Sequence, residues 1–593
     1  MKRLYVLWLV SVGLAMPFAG IGASQTTFLN LDLETATRGQ VWGWSNSTAG
    51  YEYAADVTTA VSGNQSLRLR NIGASAPAFA ATGQTLPLSV VAGHHIHLAG
   101  FIQTSGMTRG FAGFWMRVDQ PDGTVSAFNN MSSLGISGST AWTQYSFDLD
   151  VAPDAADVVF GALQTGDGTA WFDNITLDID GMRFVDGPAP YVGDPTAAQL
   201  NWLQQNVNPF FSPNPAGDLG DLWPVSNIVG NAHIVGLGEG THGTGEFFQM
   251  KHRLLEYLAQ KQGFTIFAME ANMPESDAVN QYVLTGQGDP EKLLQGLYFW
   301  TWNTQEVLDM IQWIRQYNAS GNGPIVFAGF DMQYCAVAIA NVQNFIEQAE
   351  PDYLPGVESA YAQALAISQS WTKGVSQSTA IVQPVVDAVQ AIAAHLAGNR
   401  SSYLANFNAY DVDWAIQNAV IVQQATYNTI AGSAYRDQAM ASNVEWLVQE
   451  YPGARLVLWA HDGHIWKDPG AMGSYIAANH GNDYVAFGQI FHAGRYNAVG
   501  ATTGGLRAWP ATPSFAGTVE WMFHSLGLPW FILDLRQASA TDPDSAWLLG
   551  PVQYRMIGAV QEDGFFVSNR LLDDFDVLVF FDQTTPSHLL PFN

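Results

Sequence analysis

From about residue 195 onward, short continuous apolar runs recur between stretches of helical spacing, and this pattern constrains the fold more than any other feature of the chain. The runs are His233-Ile234-Val235-Gly236-Leu237, Phe264-Thr265-Ile266-Phe267-Ala268-Met269, Pro324-Ile325-Val326-Phe327-Ala328, Arg455-Leu456-Val457-Leu458-Trp459-Ala460, Tyr484-Val485-Ala486-Phe487-Gly488, Trp530-Phe531-Ile532-Leu533 and Val577-Leu578-Val579-Phe580-Phe581. A strand with one wet face alternates apolar and polar residues. A strand without alternation is covered on both faces, as in a mostly parallel sheet flanked by helices. Residues 195–593 are therefore predicted to form an α/β domain. Between Tyr334 and about Glu450 the runs stop, and an Ala-, Gln- and Val-rich stretch predicts a helical insertion over about 335–450 that walls a cleft.

Ionisable residues stand directly after these runs. Gly238-Glu239-Gly240-Thr241-His242-Gly243-Thr244-Gly245 follows the first, Glu270 ends the second, Asp331 follows the third and His461-Asp462-Gly463-His464 follows the fourth. In an α/β sheet these positions are the carboxyl ends of strands, where ligands bind. The glycines permit tight turns and close backbone approach. The segment Glu246 to Lys261 has helical spacing, with Phe247, Leu254 and Leu258 on one face, and its N-terminal amides are expected to face an oxyanion. Neither a Gly-x-x-x-x-Gly-Lys-Ser/Thr loop nor a clean Gly-x-Gly-x-x-Gly is present, which argues against a phosphate cradle.

The first 182 residues read differently. Lys2 and Arg3, an apolar run from Leu4 to about Ala15, Pro17 and the small residues before Ser24 resemble a signal peptide over 1–23, and no later segment reads as long and apolar enough to span a bilayer. Export to the periplasm or exterior is expected. Residues 24–182 alternate short β-rich runs such as Ser66-Leu67-Arg68-Leu69-Arg70 with Gly/Ser/Asn/Asp turns, predicting an all-β sandwich. A linker at 183–194 contains Gly187, Pro188, Pro190 and Gly193, and Asp194-Pro195 is expected to open a helix. The lone Cys335 excludes a disulfide framework and reads as a buried thiol. A formal net charge of -29 makes nucleic acid and anionic membrane surfaces poor partners and fits a cationic or neutral substrate.

Two resemblances follow. Phe28-Leu29-Asn30-Leu31-Asp32-Leu33-Glu34, Ser62-Gly63-Asn64-Gln65-Ser66-Leu67 and Ala170-Trp171-Phe172-Asp173-Asn174-Ile175 look like the ends of jelly-roll, carbohydrate-binding-like modules. That resemblance implies a structural calcium at Asp32, Glu34 and Asp173, against the simpler expectation that these cap turns. Trp42 and Trp44 share a face, for a sugar or for the core. Gly236 to Thr244, Glu246-Phe247-Phe248, Lys251, Gly288-Asp289-Pro290, Phe299-Trp300-Thr301-Trp302, Gly329-Phe330-Asp331-Met332-Gln333, Arg436-Asp437 and Trp459 to His464 resemble the erythromycin esterase family, in order, over about 195–500. The family opens the macrolactone ester of erythromycin-like antibiotics. The resemblance implies that His242 is the general base, with Glu239, Glu270, His461 and His464 beside it. Many members have Asn where this chain has Asp462, a carboxylate that would raise neighbouring histidines if buried beside them.

The residues agree with such chemistry. There is no Gly-x-Ser-x-Gly elbow, so water is the economical nucleophile and a histidine its base. Lys251, Trp300, Trp302 and Asp331 are expected to contact the substrate, a small-molecule ester or macrolactone. No cofactor is expected. The His461/His464 spacing is not diagnostic of a metal, although a divalent ion in the site is the main rival chemistry. The alternatives are a metal-dependent hydrolase of another bond and a catalytically silent glycan- or ligand-binding protein.

Overall fold

Alternating burial along the N-terminal strands builds two antiparallel sheets that share one core. In the computed structural model, which describes residues 27–591 apart from 45–47, 74–78, 122–123, 188, 216, 432, 502 and 563–565, the larger sheet runs Tyr51–Asp56, Ser66–Asn71, Thr169–Ile179, His95–Met107, Gly138–Asp150. The smaller runs Phe79–Thr85, Asp157–Thr165, Ala112–Asp119, Val125–Asn129. Leu67, Phe114, Phe160 and Phe172 pack between them. The expected signal peptide and Pro188 lie outside the described residues.

Both tryptophans singled out for sugar stacking are buried instead. Trp44 packs edge-on against Phe160 and its Nε1 donates to the Leu29 carbonyl at 3.0 Å, while Trp42 lies 5.4 Å from Phe28. The three acidic residues hold loop amides. Asp173 accepts from the Val61, Ser62 and Asn174 N–H groups, Glu34 from Asn64 and Gln65, and Asp32 from Glu34.

The C-terminal domain is a nine-stranded sheet. Its strands are β1 (Val207–Pro209), β2 (Ile234–Leu237), β3 (Ile266–Asn272), β4 (Val326–Asp331), β5 (Leu456–Trp459), β6 (Tyr484–Val499), β7 (Leu506–Ala511), β8 (Trp530–Asp534) and β9 (Val577–Thr584). Their spatial order is β1-β8-β9-β6-β2-β5-β3-β4, with β7 on the extension of β6. The six strands from β9 to β4 are parallel, and β2, β3 and β5 are buried along their whole length, as continuous apolar runs require. Adjacent β2, β5 and β3 bring three of the expected polar segments side by side. Among the described residues, the expected insertion consists of six helices between Ala336 and Glu450, without a strand.

Two local expectations change. The first helix spans Ala197–Asn206 rather than starting at Asp194-Pro195. Thr196 is its N-cap, closed by a reciprocal capping box with Gln199, and that pair fixes the start more tightly than the proline does. One later helix, Thr379–Gly398, is long and apolar enough to cross a membrane by length and composition, with mean hydropathy 1.4. Its Val382, Val386, Val389 and Leu396 are buried in the shared core of the insertion.

The sandwich core contains residues from Leu29 to Phe184, whereas the two C-terminal cores begin at Leu203 and Phe210. Contacts across the boundary include a hydrogen bond from Thr37 Oγ1 to the Ala516 carbonyl and Arg38 over the Phe515 ring. A chain beginning near Asp194 is therefore expected to stay soluble and unfold cooperatively. An aggregated or molten product would show that the two parts fold as one.

Candidate active site

The loop after β2 is shaped by steric need. A Cβ on Gly243 would lie 2.0 Å from the Asn497 carbonyl, and one on Gly238 would lie 2.0 Å from Asp462 Oδ1. Thr241 Oγ1 bonds Thr244 Oγ1 at 2.6 Å and accepts from Gly243 N–H, closing the turn. The loop then drops Glu239 into the protein, fully buried, and leaves His242 beside it with 12 % of its side chain exposed. Glu239 Oε1 accepts from His242 Nδ1 at 2.8 Å. Its Oε2 accepts from Lys251 Nζ at 2.7 Å and from Trp459 Nε1 at 2.9 Å. Lys251 also bonds the Ala460 carbonyl and sits 4.5 Å from the Trp459 ring centroid. Burial pulls its ammonium down to about 8, against the charge of Glu239. Since Nδ1 carries the proton toward Glu239, the Nε2 lone pair of His242 is the free one, and no hydrogen bond engages it among the described residues. The His461 ring lies 4.9 Å away and Trp302 stands edge-on at 5.9 Å.

A second network forms where β3, β4 and the helix Ser433–Glu450 meet. Arg436 reaches Asp331 through Nε and Nη2 at 3.1 and 2.7 Å, and Glu270 Oε1 through Nη2 at 2.7 Å. Glu270 Oε2 accepts from the His461 backbone N–H at 3.0 Å. His464 sits between Asp437 Oδ1, 2.7 Å from Nδ1, and Glu270 Oε1, 3.3 Å from Nε2. Burial opposes a charge on His464, but Asp437 and Glu270 together push it up to about 10. Arg436 Nη1, 3.0 Å from the same Nε2, favours the neutral ring; the two flanking carboxylates outweigh it. Burial would raise the carboxyl of Glu270, yet His464 and Arg436 hold it well below the usual range. Arg436 and His464 each keep 18 % of their side chains exposed.

His461 is held neutral. Nε2 donates to the Ile557 carbonyl at 2.9 Å and Nδ1 accepts from Gly463 N–H at 3.1 Å. Burial and the neighbouring His242 and His464 push it down to about 3. Among the described residues no three His, Cys, Asp or Glu side chains are disposed to hold one metal ion.

Comparison with known proteins places this arrangement. The erythromycin esterase family model matches residues 259–584, more than half of the chain. The chain belongs to the erythromycin esterase family. It is 23% identical over 335 residues to erythromycin esterase type II of Escherichia coli, covering 50% of this chain and 78% of that one. A solved Bacillus cereus protein is 27% identical with a TM-score of 0.61, covering 67% of this chain and 100% of that one. A mutant of the erythromycin esterase EreC in its open conformation shares the fold at a TM-score of 0.53 and 17% identity, covering 64% of this chain and 98% of that one. The family match extends past 500 to the end of β9, farther than the sequence motifs reach, and begins after Glu239 and His242.

Within this erythromycin esterase fold, several expected site residues occupy different places. Lys251 is fully buried beneath Glu239 and Asp331 is buried against Arg436, so both brace charged neighbours rather than reach a substrate. Trp302 is buried beside His242, while Trp300 is half-buried on the same turn. The N-terminus of the helix Gly245–Gln262 does not open to the cleft. Gly245 N–H donates to the Thr585 carbonyl and Glu246 binds the backbone and hydroxyl of Thr585, so the segment after β9 covers it. Asp462 faces away from the histidines, accepting from Gln489 N–H. Burial holds its carboxyl well above the usual range, so it is not the charge that acts on the histidines. Cys335 is buried and pushed up to about 11 by burial.

Arg436, Asp437 and Trp459 were missed as site residues. The signal for the first two was an Arg-Asp pair inside a helical stretch with few charges.

The state of His461 has a measurable consequence. Its folded value lies below that of a free imidazole, so its stabilising contribution is complete above about pH 6.5 and is lost as pH falls toward 3. Wild type is expected to lose stability faster than His461→Gln between pH 6.5 and 4, by up to about 1.4 kcal/mol per pH unit. Urea unfolding at several pH values checks this; parallel curves would contradict the neutral assignment.

Proposed function

We propose that the protein is an exported hydrolase that cleaves a carboxylic ester or macrolactone with water activated by His242. One observation carries this reading: the Glu239–His242 pair, with Nδ1 engaged at 2.8 Å and no hydrogen bond on Nε2 among the described residues. A carboxylate that fixes the tautomer and steadies the imidazolium is the arrangement a general base needs. Water gives its proton to Nε2 and adds to the carbonyl carbon. The developing oxyanion is stabilised by Arg436 and His464, the partly exposed cationic groups of the second network, and the proton taken up by His242 passes to the leaving alkoxide. Lys251 and Trp459 hold Glu239 from below, and Glu270 with Asp331 holds Arg436.

The family relationship supports a hydrolase, and its named esterases support an ester bond. Export rests on the N-terminal sequence pattern. Purified protein tested on lactones and simple esters is expected to hydrolyse at least one series. Serine-directed phosphonates and exhaustive chelation are expected to leave the rate unchanged. A serine adduct that abolishes activity, or a rate lost with a chelated metal and restored by it, would overturn the water-only mechanism.

A further inference from the structure

A cleft of about 560 Å³ opens between the sandwich and the C-terminal domain, a size that accommodates a small ligand. The sandwich contributes a short hairpin, Ala36–Thr37 paired with Gln40–Val41. Its turn residues Arg38 and Gly39 both take positive φ, +54° and +74°, as a tight two-residue hairpin requires. The turn is strained at a bulky residue, and it sets the Arg38 guanidinium 4.7 Å from the centroid of the Phe515 ring. The C-terminal domain contributes Phe515 and a second hairpin, Pro551–Arg555 paired with Phe566–Arg570. There Gln553 stands directly opposite Ser568, and Arg555 opposite Phe566, so all four share one face. Phe566 meets Phe515 at 5.0 Å between ring centroids.

The chain has 52 Asp and Glu against 23 Lys and Arg, so an arginine without a carboxylate partner is an exception. Arg38 is one. It is exposed, it makes no ion pair or side-chain hydrogen bond among the described residues, and it is the only charged group among those that line the cleft. Buried Arg555 stacks over the Phe566 ring at 4.8 Å, a second cation beside the aromatic pair. The side chains of Gln40, Gln553 and Ser568 also make no hydrogen bond within the protein among the described residues. Trp42 and Trp44 border the cleft but are buried, so the partly exposed rings of Phe515 and Phe566 are the accessible platforms. These parts select a ligand. A simple aromatic acid would use the rings and Arg38 and leave both amides and the hydroxyl idle. A neutral sugar would use the rings, amides and hydroxyl and leave the guanidinium idle. A sugar that carries a carboxylate engages all of them, and a guanidinium binds a carboxylate through two parallel N–H groups.

We propose that this interdomain cleft binds a uronic-acid residue of an acidic saccharide, with the carboxylate on Arg38, the hydroxyls on Gln40, Gln553 and Ser568, and the ring against Phe515 and Phe566. The site shares no residue with the Glu239–His242 pair or the Arg436 network, and it does not depend on which bond the protein cleaves.

Isothermal titration calorimetry on the full chain, at equal ionic strength, compares digalacturonate, the neutral galactobiose that lacks its carboxylates, and sodium benzoate. Wild type is expected to bind digalacturonate at least about 10-fold more tightly than either of the others. Arg38→Gln is expected to weaken digalacturonate about 10-fold and leave galactobiose unchanged, because only the charge-assisted contact is lost. Gln553→Ala, which keeps Arg38, is expected to weaken both sugars alike, by about 3-fold, and to leave benzoate unchanged. It also tests the cleft should Arg38→Gln disturb the hairpin; ligand-free Tm values show whether either variant is folded like wild type. No heat from digalacturonate, equal affinity for galactobiose, or full affinity in both variants would overturn the site. Benzoate bound as tightly as digalacturonate would reject a saccharide as its ligand.

Discussion

His242→Asn is expected to fold like wild type and to hydrolyse esters about 10²–10⁴-fold more slowly, the usual cost of losing a general base. Asparagine is polar and of similar size, and its amide can still donate to Glu239, so the ion pair between Glu239 and Lys251 keeps its surroundings. What disappears is the basic nitrogen Nε2, which no hydrogen bond engages among the described residues. The loss should fall on kcat more than on KM, because the proton is taken only as water attacks. Circular dichroism and a urea titration establish that the variant is folded. Near-normal turnover in a folded His242→Asn would remove the histidine from the mechanism.

Arg436→Met is expected to damage both stability and turnover. Removing the guanidinium strands Glu270 and Asp331, two buried carboxylates that it now neutralises. Breaking a buried pair by deleting one partner costs about 3–5 kcal/mol, and the urea midpoint should drop accordingly. Turnover should fall even where the variant remains folded, because one of the two cations facing the oxyanion is gone. Arg436→Lys restores charge but not the fork that serves Asp331 through Nε and Nη2 while Nη2 also reaches Glu270, so it is expected to recover only part of both losses. A variant as stable as wild type would show that Arg436 is dispensable to this network.

The strands that carry the site were legible because β2, β3 and β5 are buried on both faces, and continuous apolar runs have no other economical reading. Their parallel adjacency then places Glu239, Glu270 and His461 together without further information. The helix at 245–262 was legible from its apolar face, but its N-terminus was misread. The segment that covers it, after β9 and 339 residues from Glu246, leaves no local trace. Lys251 looked like a substrate contact for the same reason: a lysine on a helix that also carries Arg253, Glu256 and Lys261 gives no hint that Glu239 and Trp459 lie over it. Arg436 was hidden by its setting in a long helical insertion that pattern alone reads as a wall. The two tryptophans illustrate the limit of strand alternation, which says that Trp42 and Trp44 share a face but not which face is the core.

Imidazole rescue of His242→Ala tests the central assignment most directly. The truncation leaves space beside Glu239 where added imidazole supplies the missing base. The rate is measured over a pH range spanning the titration of imidazole, on an ester that wild type cleaves. If His242 activates water, rescue rises with the concentration of neutral imidazole and disappears as the pH falls and imidazolium replaces it. Rescue that follows imidazolium instead would make His242 an acid, and a wild-type rate without any imidazole would contradict its role altogether.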